Sequence, residues 1–114
     1  MQKGQGTLIA MVVMGLVAYG GQVKTAGDPE AGKAVYKSKC MICHGVDGEG
    51  KTGYAKAMNL EPARLGSDAV QKKTDAEIKK IITEGSGKMK PIKDISDADI
   101  ANVIVYVHQS FGKK

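Results

Sequence analysis

From residue 28 to residue 111 the apolar positions fall into three stripes with helical spacing. The first runs through "DPEAGKAVYKSK". Ala31, Gly32, Val35 and Tyr36 recur at intervals of three to four, behind Asp28 as N-cap and Pro29 at the first helical position. The second is "TDAEIKKIITEG". Thr74 and Glu77 form a capping box ahead of Ile78, Ile81 and Ile82, and Gly85 stops the helix. The third is "SDADIANVIVYVHQSFG", with Ser96 as cap and Asp99 three residues on. Ile100, Val103, Ile104, Val107 and Phe111 follow the i, i+3, i+4, i+7, i+11 pattern of an amphipathic helix.

No run alternates with a period of two for long enough to predict a strand. Between the stripes lie two glycine-rich stretches. Residues 45–67 hold five of the chain's 15 glycines and one of its three prolines, and predict a long loop with one short helical turn near residues 54–58. Residues 85–94, "GSGKMKPIKD", predict a second loop. Loops of this length in a small domain are functional or pinned by something. The expected fold class is all-α: three to four helices and long loops in one domain over residues 28–112.

Ahead of that domain, Met1-Gln2-Lys3 leads into the apolar run "LIAMVVMGLVAYGG". One positive charge, a short apolar core and small residues after it describe an export signal over residues 1–20. The small-residue pattern at Ala18-Tyr19-Gly20 offers one cleavage site; that at Thr25-Ala26-Gly27 extends the leader to 27. An uncleaved anchor is the alternative, although a membrane span needs about 20 consecutive apolar residues.

Charge narrows the classes of partner. The formal net charge is +5, and 16 of the 17 basic residues are lysine, Arg64 being the exception. Nucleic-acid modules cluster arginine and interleave aromatics; here the lysines are scattered, with four Tyr, one Phe and no Trp. Nucleic acid is therefore not an expected partner, whereas acidic protein surfaces are compatible. So few aromatics make a small core, of the kind that needs a disulfide, a metal or a cofactor.

"CMICHG", residues 40–45, holds both cysteines and one of the two histidines. A structural zinc site would require Cys40, Cys43, His44 and His108 together, with Cys43 and His44 awkwardly adjacent. A redox dithiol of the thioredoxin type needs a βαβ setting that is missing. Covalent haem attachment accounts for each residue. The two thiols add across the haem vinyl groups from one face of a helical turn, and the imidazole of His44 follows under the iron.

With this motif between a helix and a glycine-rich loop, residues 28–111 resemble the small monohaem cytochromes c of the bacterial periplasm, in the mitochondrial-type cytochrome c fold. The resemblance implies one haem c, thioether-linked to Cys40 and Cys43, with His44 as proximal iron ligand. It also implies a contact between the first and last helices, in which Gly32 admits the ring of Tyr36 or Tyr106.

For the sixth ligand, Met41 is inside the attachment turn on the proximal side. Met58, Met89 and His108 remain. Met89 sits in "GSGKMKP", and in the family the distal methionine lies in such a loop with a proline just after it. Here Lys90 intervenes before Pro91, and the resemblance implies Met89 as the distal iron ligand, with Met58 packing at the haem edge. Tyr54, Lys56, Arg64 and Lys93 are candidates for the haem propionates.

His/Met ligation leaves iron no open position and favours the ferrous state. The resemblance thus implies a periplasmic one-electron carrier, not an enzyme, monomeric, without a small-molecule substrate. Its partners would be redox proteins such as an oxidase, reductase or dehydrogenase. The alternatives are a haem sensor or catalytic domain with a displaceable sixth ligand, and a carrier subunit of a larger respiratory complex.

Overall fold

A computed structural model describes residues 27–112. The expected leader over residues 1–20 lies outside them, and its longer form, to residue 27, reaches only the first of them. Six helices follow one another: α1 Pro29–Lys39, α2 Met41–His44, α3 Gly53–Ala57, α4 Asp68–Gln71, α5 Asp75–Glu84 and α6 Asp97–Phe111. Strands are absent among the described residues apart from a single antiparallel bridge between Ser86 and Met89. The fold is all-α, as expected, with two to three more helices than the sequence pattern predicts.

The three long helices begin where their caps lie. Asp28 accepts from the Glu30 amide at 3.2 Å with Pro29 behind it. Thr74 and Glu77 form a reciprocal capping box, and Ser96 and Asp99 form another. Each cap satisfies amides that a helix start leaves without partners.

All five residues of the α6 stripe are buried. With Tyr36 of α1 and Ile82 of α5 they make the core. Tyr36, Tyr106 and Phe111 form an aromatic triangle with centroids 5.4 to 5.7 Å apart.

The largest interface between helices is that of α1 with α6. Gly32 is buried there. A Cβ on it would overlap the Asn102 carbonyl and stand 2.9 Å from the Tyr106 Cβ. The glycine–aromatic contact that the resemblance implies is thus present, with Tyr106 against Gly32 and the Tyr36 ring tilted at 45° to that of Tyr106. The Asp28 amide donates to Asn102 Oδ1 at 2.8 Å and fixes the start of α1 on α6.

The short helices are single turns. α3 falls where the sequence predicts one. α4 is the addition with no periodic signal, since Val70 is its one buried residue. Ser67 caps it, and Gln71 Nε2 donates to the carbonyls of Leu65 (2.8 Å) and Val107 (3.4 Å). The cap and the Leu65 bond are local, and the bond to Val107 ties the turn to α6. No helix among the described residues is long and apolar enough to cross a membrane.

Candidate functional site

α1 runs directly into the turn that carries the chemistry. Cys40 closes α1, its amide donating to the Tyr36 carbonyl at 2.9 Å, and its own carbonyl accepts from Cys43 and His44 at 3.2 and 3.0 Å. Gly45 ends the turn at φ +86°, a conformation that favours glycine. The Tyr36 hydroxyl donates to the Gly45 carbonyl at 2.6 Å. A fully buried ring of the core thereby holds the exit of the turn, and burial raises the tyrosine's pKa.

Cys40 and Cys43 are free thiols, both half-buried. Cys40 packs against the core. Burial, then the neighbouring Cys43, push its thiol up to about 11, against a lowering by Lys39.

His44 is also half-buried, with Nδ1 3.2 Å from the carbonyl of Ala63. A carbonyl can only accept, so Nδ1 carries the proton and Nε2 the free lone pair. Burial lowers the His44 pKa, and the Ala63 bond opposes that shift. An imidazole whose Nδ1 donates to a carbonyl keeps Nε2 as the nitrogen able to bind a metal.

Met89 belongs to a different element. Ser86 and Met89 exchange backbone bonds at 2.9 and 2.8 Å, and the Ile92 amide returns to the Ile82 carbonyl at 2.8 Å. Gly85, at φ +83°, allows the Met89 carbonyl to pass where a Cβ would stand, at 2.6 Å. The loop is tied to both flanks: Lys88 Nζ donates to the Asn59 carbonyl at 3.2 Å, and Lys39 Nζ to the Lys93 carbonyl at 3.1 Å. Met89 is half-buried, whereas Met58 is 54% exposed. Met41 packs on the core. His108 is engaged elsewhere, with Nδ1 3.0 Å from Gln71 Oε1 and Nε2 3.9 Å from Asp75.

Among the described residues no three His, Cys, Asp or Glu side chains converge on a metal-ion position. The two thiols and the imidazole therefore do not stand as a structural zinc cage. Next to the turn, Ile42, Val46, Tyr54 and Met58 expose large apolar surface. Thr52 Oγ1 donates to the Ile42 carbonyl at 2.8 Å and ties the turn to α3. A cleft of about 390 Å³ opens there, lined by residues of the 50–60 segment including Thr52, Lys56 and Leu60. Two thiols, an oriented imidazole and uncovered apolar groups fit a flat apolar macrocycle carrying a metal.

A family model described as "Cytochrome C oxidase, cbb3-type, subunit III" matches residues 27–107. The chain belongs to the c-type cytochromes, as one of the small ones. It is 32% identical over 102 residues to cytochrome c6 of Picosynechococcus sp. (strain ATCC 27264 / PCC 7002 / PR-6), covering 87% of each protein. It is 31% identical over 91 residues to the cbb3-type cytochrome c oxidase subunit CcoP of Azospirillum brasilense, where it covers 78% of this chain and 30% of that subunit. A solved structure titled KustC0563 c-type cytochrome superposes with a TM-score of 0.57 at 27% identity, over 73% of this chain and 98% of that one. Haem c binding and haem-based electron transfer are the family's chemistry.

Sequence reasoning missed the Ala63 carbonyl and the Gln71 clamp. Ala63 acts through a backbone atom, which no residue type announces. Of the propionate candidates, Arg64 is paired with Glu49 and Lys56 lines the cleft.

Proposed function

We propose that this c-type cytochrome is a periplasmic carrier of single electrons, exported by the leader over residues 1–20 (or up to 27) and functional as the domain over residues 28–112. One haem c is held by thioether bonds from Cys40 and Cys43, with His44 and Met89 as axial ligands. The observation that carries this reading is the 40–44 turn, in which both thiols and an Ala63-anchored imidazole belong to one helical turn.

Bound haem supplies a ferric/ferrous couple whose potential thioether ligation raises. The chain's part is to hold that couple still. The Tyr36 bond to Gly45 fixes the turn, the Ala63 carbonyl fixes the ring of His44, and the tied 85–92 loop fixes the distal side. A site so constrained changes little between oxidation states, which suits outer-sphere transfer to a protein partner. Lys88, Lys90 and Lys93 flank Met89 and give that side a positive surface for acidic partners.

The similarity to an oxidase subunit favours a second reading, in which the same domain serves as a carrier module docked in a respiratory complex. Visible spectra of the purified protein in both oxidation states test the common core. The expected result is a low-spin c-type spectrum whose haem stays with the polypeptide in acid–acetone and is lost in Cys40→Ala with Cys43→Ala. Freely extractable haem would overturn covalent attachment. Ready carbon monoxide binding by the wild type would overturn the carrier reading in favour of a sensor or enzyme.

A further inference from the structure

Ala63, whose carbonyl holds His44, lies in a stretch without helix or strand, residues 60–64. Cross-loop bonds must fix its place. Arg64, the residue after Ala63, pairs through Nε with Oε1 of Glu49 at 3.0 Å. Glu49 precedes Gly50, whose amide donates to the carbonyl of His44 itself at 2.8 Å. The ion pair therefore joins the neighbour of the ring's acceptor to the neighbour of the amide that holds the His44 backbone. The Leu65 amide donates to the Gly48 carbonyl at 2.9 Å, one residue further along each strand of the loop. A Cβ on Gly50 would stand 2.8 Å from the Pro62 carbonyl, so the two stretches are in close contact on the other side.

We propose that Arg64 and Glu49 are positioning residues that act through the Ala63 carbonyl on the Nδ1–H bond of His44 and thereby tune the reduction potential. This rests on the reading of His44 as an axial ligand. A firm Nδ1–H···O bond pulls the proton from the ring and makes Nε2 a stronger donor. A stronger donor favours ferric iron and lowers the potential. Breaking the ion pair frees the 60–64 stretch, weakens that bond and raises the potential. As a contribution to stability alone, a pair with side chains 62% and 32% exposed is worth little.

The test is redox titration of the haem-loaded protein with Glu49→Gln and Arg64→Ala, together with NMR of the ¹⁵N-labelled His44 ring in the ferrous state. Positioning predicts that both variants raise the potential, by a two- to fivefold shift of the ferrous-over-ferric equilibrium, about 20–40 mV for one electron. It also predicts faster exchange of the Nδ1 proton in both. Simple removal of charge near the iron predicts opposite signs, a rise for Glu49→Gln and a fall for Arg64→Ala. The charge-swapped double variant, Glu49→Arg with Arg64→Glu, restores the potential. Asp97→Asn, which breaks the Lys79–Asp97 pair (3.4 Å), leaves both readouts unchanged.

Opposite shifts, or no shift in either single variant, would overturn the proposal. Failure of the underlying reading shows separately, in His44→Ala that keeps the wild-type low-spin spectrum.

Discussion

Gly32→Ala should destabilise the protein although alanine is the better helix former. Gly32 lies within α1, where the change by itself is worth about 1 kcal/mol in favour of folding. Against that stands the α6 backbone. The added methyl overlaps the Asn102 carbonyl and lies 2.9 Å from the Tyr106 Cβ, which must recede by about 0.6 Å to reach a comfortable carbon–carbon distance. A side-chain tip could swing aside, but a carbonyl within a helix cannot without loss of its own bond. The helices must separate, loosening the aromatic triangle and the Asp28–Asn102 bond (2.8 Å).

Overpacking of this kind costs about 1–3 kcal/mol, and a clash with helix backbone belongs at or beyond the upper end. The net loss is then about 2 kcal/mol, which lowers the Tm of a domain this size by about 8–16 °C. Thermal and guanidinium unfolding of the haem-loaded protein, followed by far-UV circular dichroism, measures it. Gly53→Ala is the control: a Cβ there meets nothing within 4 Å, and its stability should stay level or rise. A Gly32→Ala protein as stable as the wild type would refute the argument; an equal loss in both variants would refute its attribution to the α1–α6 contact.

Tyr36→Phe removes the donor to the Gly45 carbonyl (2.6 Å) and should cost about 1–2 kcal/mol in the same unfolding assay, with ring packing retained. Met89→Ala should abolish the weak near-infrared band of ferric thioether ligation, lower the potential and admit carbon monoxide. Met58→Ala should keep band and potential; a reversal of the two results would reassign the ligand. The chain without haem should be largely unfolded by circular dichroism, because the nine buried apolar residues among those described make a small core. Native helix content with a cooperative melt in the apoprotein would contradict that.

The long helices were legible because their determinants are local. A cap acts within three residues, and the stripe 100, 103, 104, 107 and 111 needs only the helical period to be read as one buried face. The 40–44 turn was legible for the same reason, since its two thiols and its imidazole lie within five residues of one local segment. Helix α4, the anchor of His44 and the clamp on His108 depend on bonds between residues 36, 19 and 37 positions apart, namely Gln71 to Val107, His44 to Ala63 and His108 to Gln71. Two of the three use a backbone carbonyl, which every residue possesses. The sequence by itself thus determined which residue types stand in the 40–44 turn and which faces are buried. Only the tertiary structure decided which carbonyl meets the imidazole, because loop closure, not residue identity, chooses among equivalent acceptors.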